Sequence, residues 1–306
     1  MSIPCYPDFT PLDIDLKEIL HPRLSLTADG VSEFTFSSLY LFRHRYNYRI
    51  SRSVANNSAA MDGAAIDGKG GFIISGVFGG KTFFMTPCCA PDDETIESLF
   101  ATHDYWKNIS ESVLSPVREK LQERGIVFEE DRNNFDYLYY RQDLAELIGK
   151  KYHKKKNHVN HFLNAYPAHE QYPMSTALVP AAVEILDQWL LKNSGQDNDY
   201  KATREALDLF ESLTLKGTIF FVNNKPVAFC LGESIARGRM FAIHFEKAID
   251  EYKGIYQFMN QEFASLLPGF FTLINREQDL GNEGLRQAKL TYRPCGFVKK
   301  FIGKHL

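Results

Sequence analysis

The sequence predicts an α+β protein, and three observations lead to this class. At 306 residues the chain is longer than one ordinary domain, so two domains are expected. In both halves, short β-rich runs bounded by glycine, asparagine or proline alternate with amphipathic helical segments. In the second half these segments follow the order ββ, β, α, β, α, β, which predicts a mixed sheet flanked by helices.

The first half supplies several such segments. Glycine pairs separate two β-rich runs in GGFIISGVFGGKTFFMTP, which predicts a hairpin. Helical patterns follow in DDETIESLFATHDYWKNI and SPVREKLQERGI, then FDYLYYR predicts a strand and QDLAELIGKKYHKKKNHVNHFLNAY one long basic helix. No helical pattern directly follows DGKGGFIISGVFGG, so its glycines indicate turns rather than a dinucleotide-binding loop.

The stretch PAHEQYPMST has two prolines and no periodicity, which predicts a boundary near residues 165–175 and domains over 1–168 and 169–306. After two helices, GTIFFVNNKPVAFCLGESI predicts a hairpin about Asn223 and Asn224, since asparagine tolerates positive φ. The remaining segments are RMFAIHFEKA as a strand, KGIYQFMNQEFASLL as a helix, FFTLINRE as a strand, NEGLRQAKLTY as a helix and GFVKKFI as a last strand.

The overall composition excludes several classes of protein. A net charge of −3 argues against a protein that coats DNA, although one local basic groove remains compatible with it. No apolar run reaches the roughly 18–20 residues of a membrane span, and the N-terminus lacks the features of a signal peptide, so a cytoplasmic protein is expected. The five cysteines form no C-x-x-C pair, which indicates reduced thiols. His153, His158 and His161 have no carboxylate to complete a metal site, so no metal is expected.

The segment GKKYHKKKNHVNHF concentrates positive charge in this slightly acidic chain. If residues 144–162 form one continuous helix, their side chains divide into an apolar face and a separate polar stripe. The apolar face is Leu144, Ile148, Tyr152, Val159 and Phe162, and the stripe is Lys150, Lys154, Asn157 and His161. Lys155 projects onto the apolar face. The segment is either a solvated basic helix or a binding surface for phosphate or carboxylate, and the candidate binding residues are Lys151, Lys154, Lys155 and Asn157.

A second candidate site lies where the strand FFTLINRE ends. Polar side chains at a strand's carboxyl end are well placed to line a cleft. There, Asn275 and Arg276 are candidate substrate-binding residues, Arg276 as a clamp for carboxylate or phosphate, and Glu277 is a candidate general base. The alternative is structural: Asp279 or Asn282 caps the next helix, and Arg276 pairs with a nearby acid.

The strand RMFAIHFEKA offers a third candidate. Strict alternation puts His244 and Glu246 on one side and Phe241, Ile243 and Phe245 on the other, with Glu233 of the preceding strand across from them. A histidine with a carboxylate partner suits a general base, while a hydrogen-bonded structural histidine is the alternative. Glu246 is, like Glu277, a candidate general base.

At DYLYYRQDLAELIGKKYHKKKNHVNHF together with INREQDLGNEGLRQAKLTYRP, the sequence resembles bacterial proteins grouped with the C-terminal catalytic domain of phosphatidylglycerol lysyltransferases. The resemblance covers nearly the whole chain. It implies two tandem acetyltransferase-like (GNAT) domains, each with a mixed sheet flanked by helices. Related tandem enzymes include the aminoacyltransferases of peptidoglycan bridges, which use aminoacyl-tRNA.

The resemblance implies an acyl or aminoacyl transferase that binds no permanent cofactor. Its donor would be aminoacyl-tRNA or acyl-CoA, and its acceptor an amine or hydroxyl of a small molecule or peptide. In many GNAT enzymes a tyrosine in the corresponding region protonates the leaving group, so the resemblance makes Tyr292 a candidate general acid. The phosphate loop of acetyl-CoA enzymes would fall at DEYKGIYQF, where only Gly254, with Lys253 beside it, matches. The alternative is a non-catalytic GNAT-fold protein that binds an anionic small molecule or RNA.

Overall fold

The computed structural model describes residues 2–53, 71–193 and 199–306. The strands are β1 (Thr10–Pro11), β2 (Arg49–Arg52), β3 (Phe72–Phe78), β4 (Lys81–Met85), β5 (Tyr105–Ser110), β6 (Ile126–Glu130), β7 (Asp136–Tyr140), β8 (His169–Pro173), β9 (Lys216–Val222), β10 (Lys225–Ile235), β11 (Met240–Ala248), β12 (Leu273–Asn275), β13 (Gly296–Val298) and β14 (Lys300–His305). The α-helices are α1 (Lys17–Leu24), α2 (Phe36–Leu41), α3 (Arg43–Tyr46), α4 (Asp93–Phe100), α5 (Glu111–Leu114), α6 (Arg118–Glu123), α7 (Arg141–Glu146), α8 (His153–Ala165), α9 (Val179–Lys192), α10 (Tyr200–Asp208), α11 (Ile255–Leu266) and α12 (Glu283–Leu290). Short 3-10 helices lie at Ile14–Leu16, Arg132–Asn134, Lys150–Tyr152 and Thr176–Leu178.

Within these residues, the strands form two mixed seven-stranded sheets with matching topology. The first has the order β1-β2-β3-β4-β5-β14-β6, and the second the order β8-β9-β10-β11-β12-β7-β13. Each contains one parallel pair, β4 with β5 and β11 with β12, and all other pairs are antiparallel. The α+β class and the predicted order of elements in the second half are therefore confirmed.

Each sheet takes one strand from the other half of the chain. In the first sheet β14 lies between β5 and β6, and at the corresponding place in the second sheet β7 lies between β12 and β13. The predicted last strand GFVKKFI is wrong as a single element, because the chain crosses from one sheet to the other between Val298 and Lys300. The two sheets do not divide the sequence at residues 168/169, because each contains a strand from the other half of the chain. The division into domains over 1–168 and 169–306 stays a prediction.

Apolar side chains from both sheets meet in one central core. Ile74 and Phe83 of the first sheet and Phe229 and Phe245 of the second belong to the same buried cluster, together with residues of α1, α2, α9 and α10. On its other face the second sheet packs against α7, α8 and α11, and the first sheet packs against α4. The second sheet is thus covered on both faces, and the candidate residues of β11 and β12 lie at its centre.

The hairpin predicted about Asn223 and Asn224 is confirmed, since both residues have positive φ (50° and 62°) between β9 and β10. The single helix predicted over the basic segment is wrong. Helix α7 ends where Leu147 adopts φ 47°, and Gly149 at φ 93° prevents continuation before α8 begins. Ile148, assigned to the apolar face, consequently lies exposed.

Candidate active site

The short strand β12 pairs with only the first three residues of β11. Met240, Phe241 and Ala242 are in register with residues 273–275, and beyond this point the two strands have no ladder between them. The chain after β12 turns away at Glu277, which has φ 56°. The side chains that follow the last paired residues therefore lie beside an interruption in the sheet, where backbone and side chains can meet a ligand.

Side-chain hydrogen bonds from Asn275 and Lys289 help to hold this turn. The Asn275 Oδ1 atom accepts from the backbone N–H of Glu277 at 2.8 Å. The Lys289 Nζ atom donates to the carbonyl oxygens of Arg276 and Gln278 at 2.6 and 2.5 Å. Burial, and then the charge of Arg276, lowers the pKa of Lys289 to about 8. Lys289, which was absent from the predicted site, thus fixes the backbone from which Glu277 projects.

His244 lies between two carboxylates. Its Nδ1 atom is 2.7 Å from Glu277 Oε1, and its Nε2 atom is 3.0 Å from Glu233 Oε1. The side chains of His244 and Glu233 are each 4% exposed, whereas that of Glu277 is 24% exposed. The expectation that Glu233 lies across from His244 is confirmed, and Glu277 is the member of the three that solvent can reach.

The predicted alternation along β11 is wrong, because the strand contains a bulge at His244. Leu231 of β10 pairs with Phe245 and the next residue, Gly232, pairs with Ile243, so His244 has no partner in the ladder. Phe245 consequently points into the central core, while Phe241 and Ile243 face the helices α8 and α11. The structure does not bring His244 and Glu246 together as a pair.

The surroundings of His244 determine its protonation. Burial alone would lower the pKa of the imidazole, but the hydrogen bonds and charges of Glu233 and Glu277 outweigh it and raise the pKa to about 10. At neutral pH His244 is therefore a cation that donates to both carboxylates. This excludes it as the free base at that pH and makes it the residue that orients Glu277.

On the helix-facing side, Glu246 pairs with Arg276. The Arg276 Nη2 atom donates to Glu246 Oε2 at 2.7 Å, and Asn260 Nδ2 donates to the other oxygen at 2.8 Å. Both oxygens of Glu246 are thus occupied within the protein. The structural alternative for Arg276, an ion pair with a nearby acid, is therefore observed between its Nη2 atom and Glu246.

Tyr292 and Lys155 complete this side. The guanidinium carbon of Arg276 is 5.0 Å from the centroid of the Tyr292 ring, and Lys155 Nζ is 4.0 Å from the same centroid. Burial raises the pKa of Tyr292 to about 12, so its hydroxyl is a proton donor at neutral pH. Burial and the charge of Arg276 lower the pKa of Lys155 to about 8. The inward direction expected for Lys155 is confirmed.

Asn275 does not reach a ligand. It is completely buried, and its Nδ2 atom donates to the carbonyl oxygen of Gly30 at 2.8 Å and to Asp136 Oδ2 at 3.2 Å. Asp136 in turn accepts from Lys300 Nζ at 2.8 Å and from the hydroxyl of Ser32 at 2.9 Å. Asn275 therefore connects the Glu277 turn to the first half of the chain, and this buried network was not predicted.

The remaining basic candidates lie apart from Glu277. Lys151, Lys154 and Asn157 are exposed, and in the described part of the chain none of them bonds to Arg276 or Glu277. Lys151 instead pairs with Asp143 at 2.9 Å. These residues form an exposed surface next to the site, and only Lys155 of the predicted basic set belongs to its interior.

The expected phosphate-loop position is occupied by protein. Gly254, at φ 91°, precedes α11, and a methyl group in place of its hydrogen would lie 2.3 Å from the backbone oxygen of His158 in α8. This close approach, which requires glycine, explains why Gly254 is present without reference to a cofactor. Lys253 beside it is exposed.

A small recess lies beside Glu233, and its lining also includes His21, Thr27, Thr35 and Phe34. Its volume of about 10 Å³ has room for about one water molecule. Within residues 2–53, 71–193 and 199–306, no group of three or more His, Cys, Asp or Glu side chains could hold a metal ion.

The model of the family described as phosphatidylglycerol lysyltransferase, C-terminal, matches residues 24–303. The chain belongs to this family. A conserved protein of unknown function from Bacteroides thetaiotaomicron is 29% identical, with a TM-score of 0.84 over 97% of this chain and 99% of that one. L-PGS from Bacillus licheniformis is 13% identical, with a TM-score of 0.58 over 100% of this chain and 94% of that one, a likeness of fold alone.

An uncharacterised protein of Mycoplasmoides gallisepticum is 24% identical over 185 residues, and the match spans 58% of each protein, which is less than two thirds of that relative's length. The predicted tandem GNAT fold is confirmed by the two matching sheets and by the likeness to L-PGS. The match to the family model makes the chain similar to phosphatidylglycerol lysyltransferases in their C-terminal domain. Its described helices include none with the length and apolar character that a membrane span requires.

Proposed function

We propose that the chain is an aminoacyl or acyl transferase whose reaction takes place beside the interruption between β11 and β12. The observation that carries this proposal is the Glu277 carboxylate, which is partly exposed, projects from a turn held by Asn275 and Lys289, and is oriented by the His244 cation. A carboxylate fixed in this way is suited to take a proton from an incoming nucleophile.

In the proposed reaction, an amine or hydroxyl of the acceptor attacks the carbonyl carbon of the activated donor while Glu277 removes its proton. The new amide or ester bond forms, and the bond from the carbonyl carbon to the donor's leaving oxygen or sulfur breaks. Tyr292, protonated at neutral pH, is the candidate that gives the leaving atom its proton. The protein otherwise contributes by holding donor and acceptor in a reactive orientation.

Aminoacyl-tRNA is the donor that the site favours over acyl-CoA. Where acetyl-CoA enzymes of this fold hold phosphate, the backbone of α8 lies against Gly254 and leaves little room for a cofactor. In addition, α8 and the turn before it expose several lysines, which would attract a phosphate backbone in spite of the net charge of −3. They are Lys150, Lys151, Lys154 and Lys156. The acceptor would be a small molecule or peptide with a free amine or hydroxyl.

Binding of charged bulk tRNA at 50 and 200 mM salt tests this choice of donor. We expect affinity to fall steeply with salt, and Lys154→Ala/Lys156→Ala to weaken binding and reduce the slope of log K against log salt by about 2. Lys299→Ala/Lys304→Ala, which removes two exposed lysines of the first sheet, is the matched control and should bind as the wild type does. Stabilisation by acetyl-CoA, with no binding of tRNA, would instead identify an ordinary acyltransferase.

The alternative is a binding protein without catalysis. It is favoured by the burial of His244 and Glu233 and by the separation of Lys154 and Asn157 from Glu277. Such a protein would bind tRNA or an anionic small molecule but leave the acyl bond intact. Loss of the labelled aminoacyl group from tRNA on incubation with the wild-type protein, and its retention with Glu277→Gln, would exclude this alternative.

A further inference from the structure

Two cations lie close to the Tyr292 ring on the helix-facing side of the second sheet, and each affects the charge of its surroundings. Lys155 Nζ lies over the Tyr292 ring, and the Arg276 guanidinium lies beside the same ring. Lys155 forms no ion pair with any carboxylate in the described ranges of the chain. The neighbouring charge that lowers the pKa of Lys155 is that of Arg276, which is also positive.

Arg276 is incompletely satisfied. Its side chain is 11% exposed, and only Nη2 donates, to Glu246. Its Nε and Nη1 atoms are buried and have no hydrogen-bond partner within the described residues. A buried donor without a partner destabilises a protein, so two on one side chain call for a ligand or ordered water.

Glu246 does not neutralise this group by itself. One of its oxygens accepts from Arg276 and the other from Asn260. Neither of these hydrogen bonds involves Lys155, which lies over the Tyr292 ring. Two cations and one carboxylate leave an excess of one positive charge in a largely buried place. An added anion would satisfy free N–H groups of Arg276 and reduce the repulsion between the cations.

We propose that Lys155 and Arg276, both beside the ring of Tyr292, bind an oxyanion of the substrate, either a carboxylate or a phosphate. Arg276 precedes Glu277 in the turn that Lys289 holds, so the proposed anion site and the proposed base belong to the same turn. The proposal names the chemistry of the substrate and rests on the proposed function for its place in the reaction. Binding of the anion is measured without catalysis, so the oxyanion proposal and the proposed transferase function can fail separately.

Protection of Lys155 from acylation tests the proposal on the wild-type protein. The protein is treated at pH 7.5 with a low concentration of an amine-acylating ester, and mass spectrometry gives the modification of Lys155 relative to exposed Lys299 in the same sample. Inorganic phosphate and acetate are compared with chloride at equal ionic strength. We expect one of the two oxyanions to reduce the ratio of Lys155 to Lys299 modification at least fivefold.

The two arms identify the source of the anion. Protection by phosphate alone assigns a phosphate ester, and protection by acetate alone assigns a carboxylate. The same anion should raise the melting temperature of the wild type and of Lys299→Met, but not that of Lys155→Met or Arg276→Lys. Absence of protection by both anions, or an equal rise in melting temperature in Lys155→Met and Lys299→Met, would overturn the proposal, whether or not the protein transfers aminoacyl groups.

Discussion

Replacing Glu277 by glutamine should lower the pKa of His244, because it removes one of the two carboxylates that hold the imidazolium proton. In the wild type the pKa rises from 6.5 to about 10. At about 1.4 kcal/mol per pKa unit, protonation of His244 contributes roughly 4–5 kcal/mol to the stability of the folded state. Because the folded-state pKa is the higher one, this contribution is complete below pH 6.5 and is lost as the pH rises through about 10.

The size of the change follows from the geometry. Glu233 and Glu277 make similar hydrogen bonds to the two imidazole nitrogens, while burial opposes the charge throughout. Loss of one carboxylate should therefore lower the pKa of His244 by roughly 2 units, equivalent to about 3 kcal/mol. The variant would then lose the stabilisation from this proton at a lower pH than the wild type does.

Titration of ¹⁵N-labelled histidine by NMR between pH 5 and 11 measures this pKa. His244→Asn identifies the signal among the nine histidines of the chain. Glu130→Gln, which alters an exposed pair with Lys299 on the first sheet, is the matched control and should leave the titration of His244 unchanged. A wild-type pKa for His244 between 6 and 7, or the same pKa in Glu277→Gln and wild type, would refute the reasoning.

Two further predictions concern stability and are measured by urea unfolding. Lys300→Met should lower the free energy of unfolding by about 3–5 kcal/mol, because Asp136 stays buried without its cation, whereas Lys299→Met, from an exposed pair, should change it by less than about 1 kcal/mol. Gly254→Ala should cost more than about 2 kcal/mol because of the collision with α8, and Gly79→Ala, at φ 58° with open space around it, about 1 kcal/mol. Equal losses within either pair would contradict the assignment.

The parts of the fold that depend on local patterns could be predicted. The hairpin at Asn223 and Asn224 and the order of elements in the second half follow from turn residues and periodicity. Helical spacing predicts the inward direction of Lys155, even though the predicted helix is too long. In the sequence, Gly149 is the signal for the early end of that helix, but the periodicity alone includes Gly149 in the helix.

The parts that depend on pairing across the chain could not be predicted. The exchange of β7 and β14 between the sheets joins strands far apart in sequence, and the adjacent runs at residues 296–305 look like one strand. The bulge at His244 changes the side chain's direction without any glycine or proline on that strand. Partners such as Lys289 for the Glu277 turn and Asp136 for Asn275 become evident only once these elements are assembled.

The most direct test of the account is a transfer assay with tRNA charged with labelled amino acids and a panel of amine and hydroxyl acceptors. We expect the wild-type protein to move the label from tRNA to an acceptor. Glu277→Gln should retain tRNA binding but transfer at least about 100-fold more slowly, as the loss of a general base predicts. Transfer at the wild-type rate by Glu277→Gln would contradict the central claim.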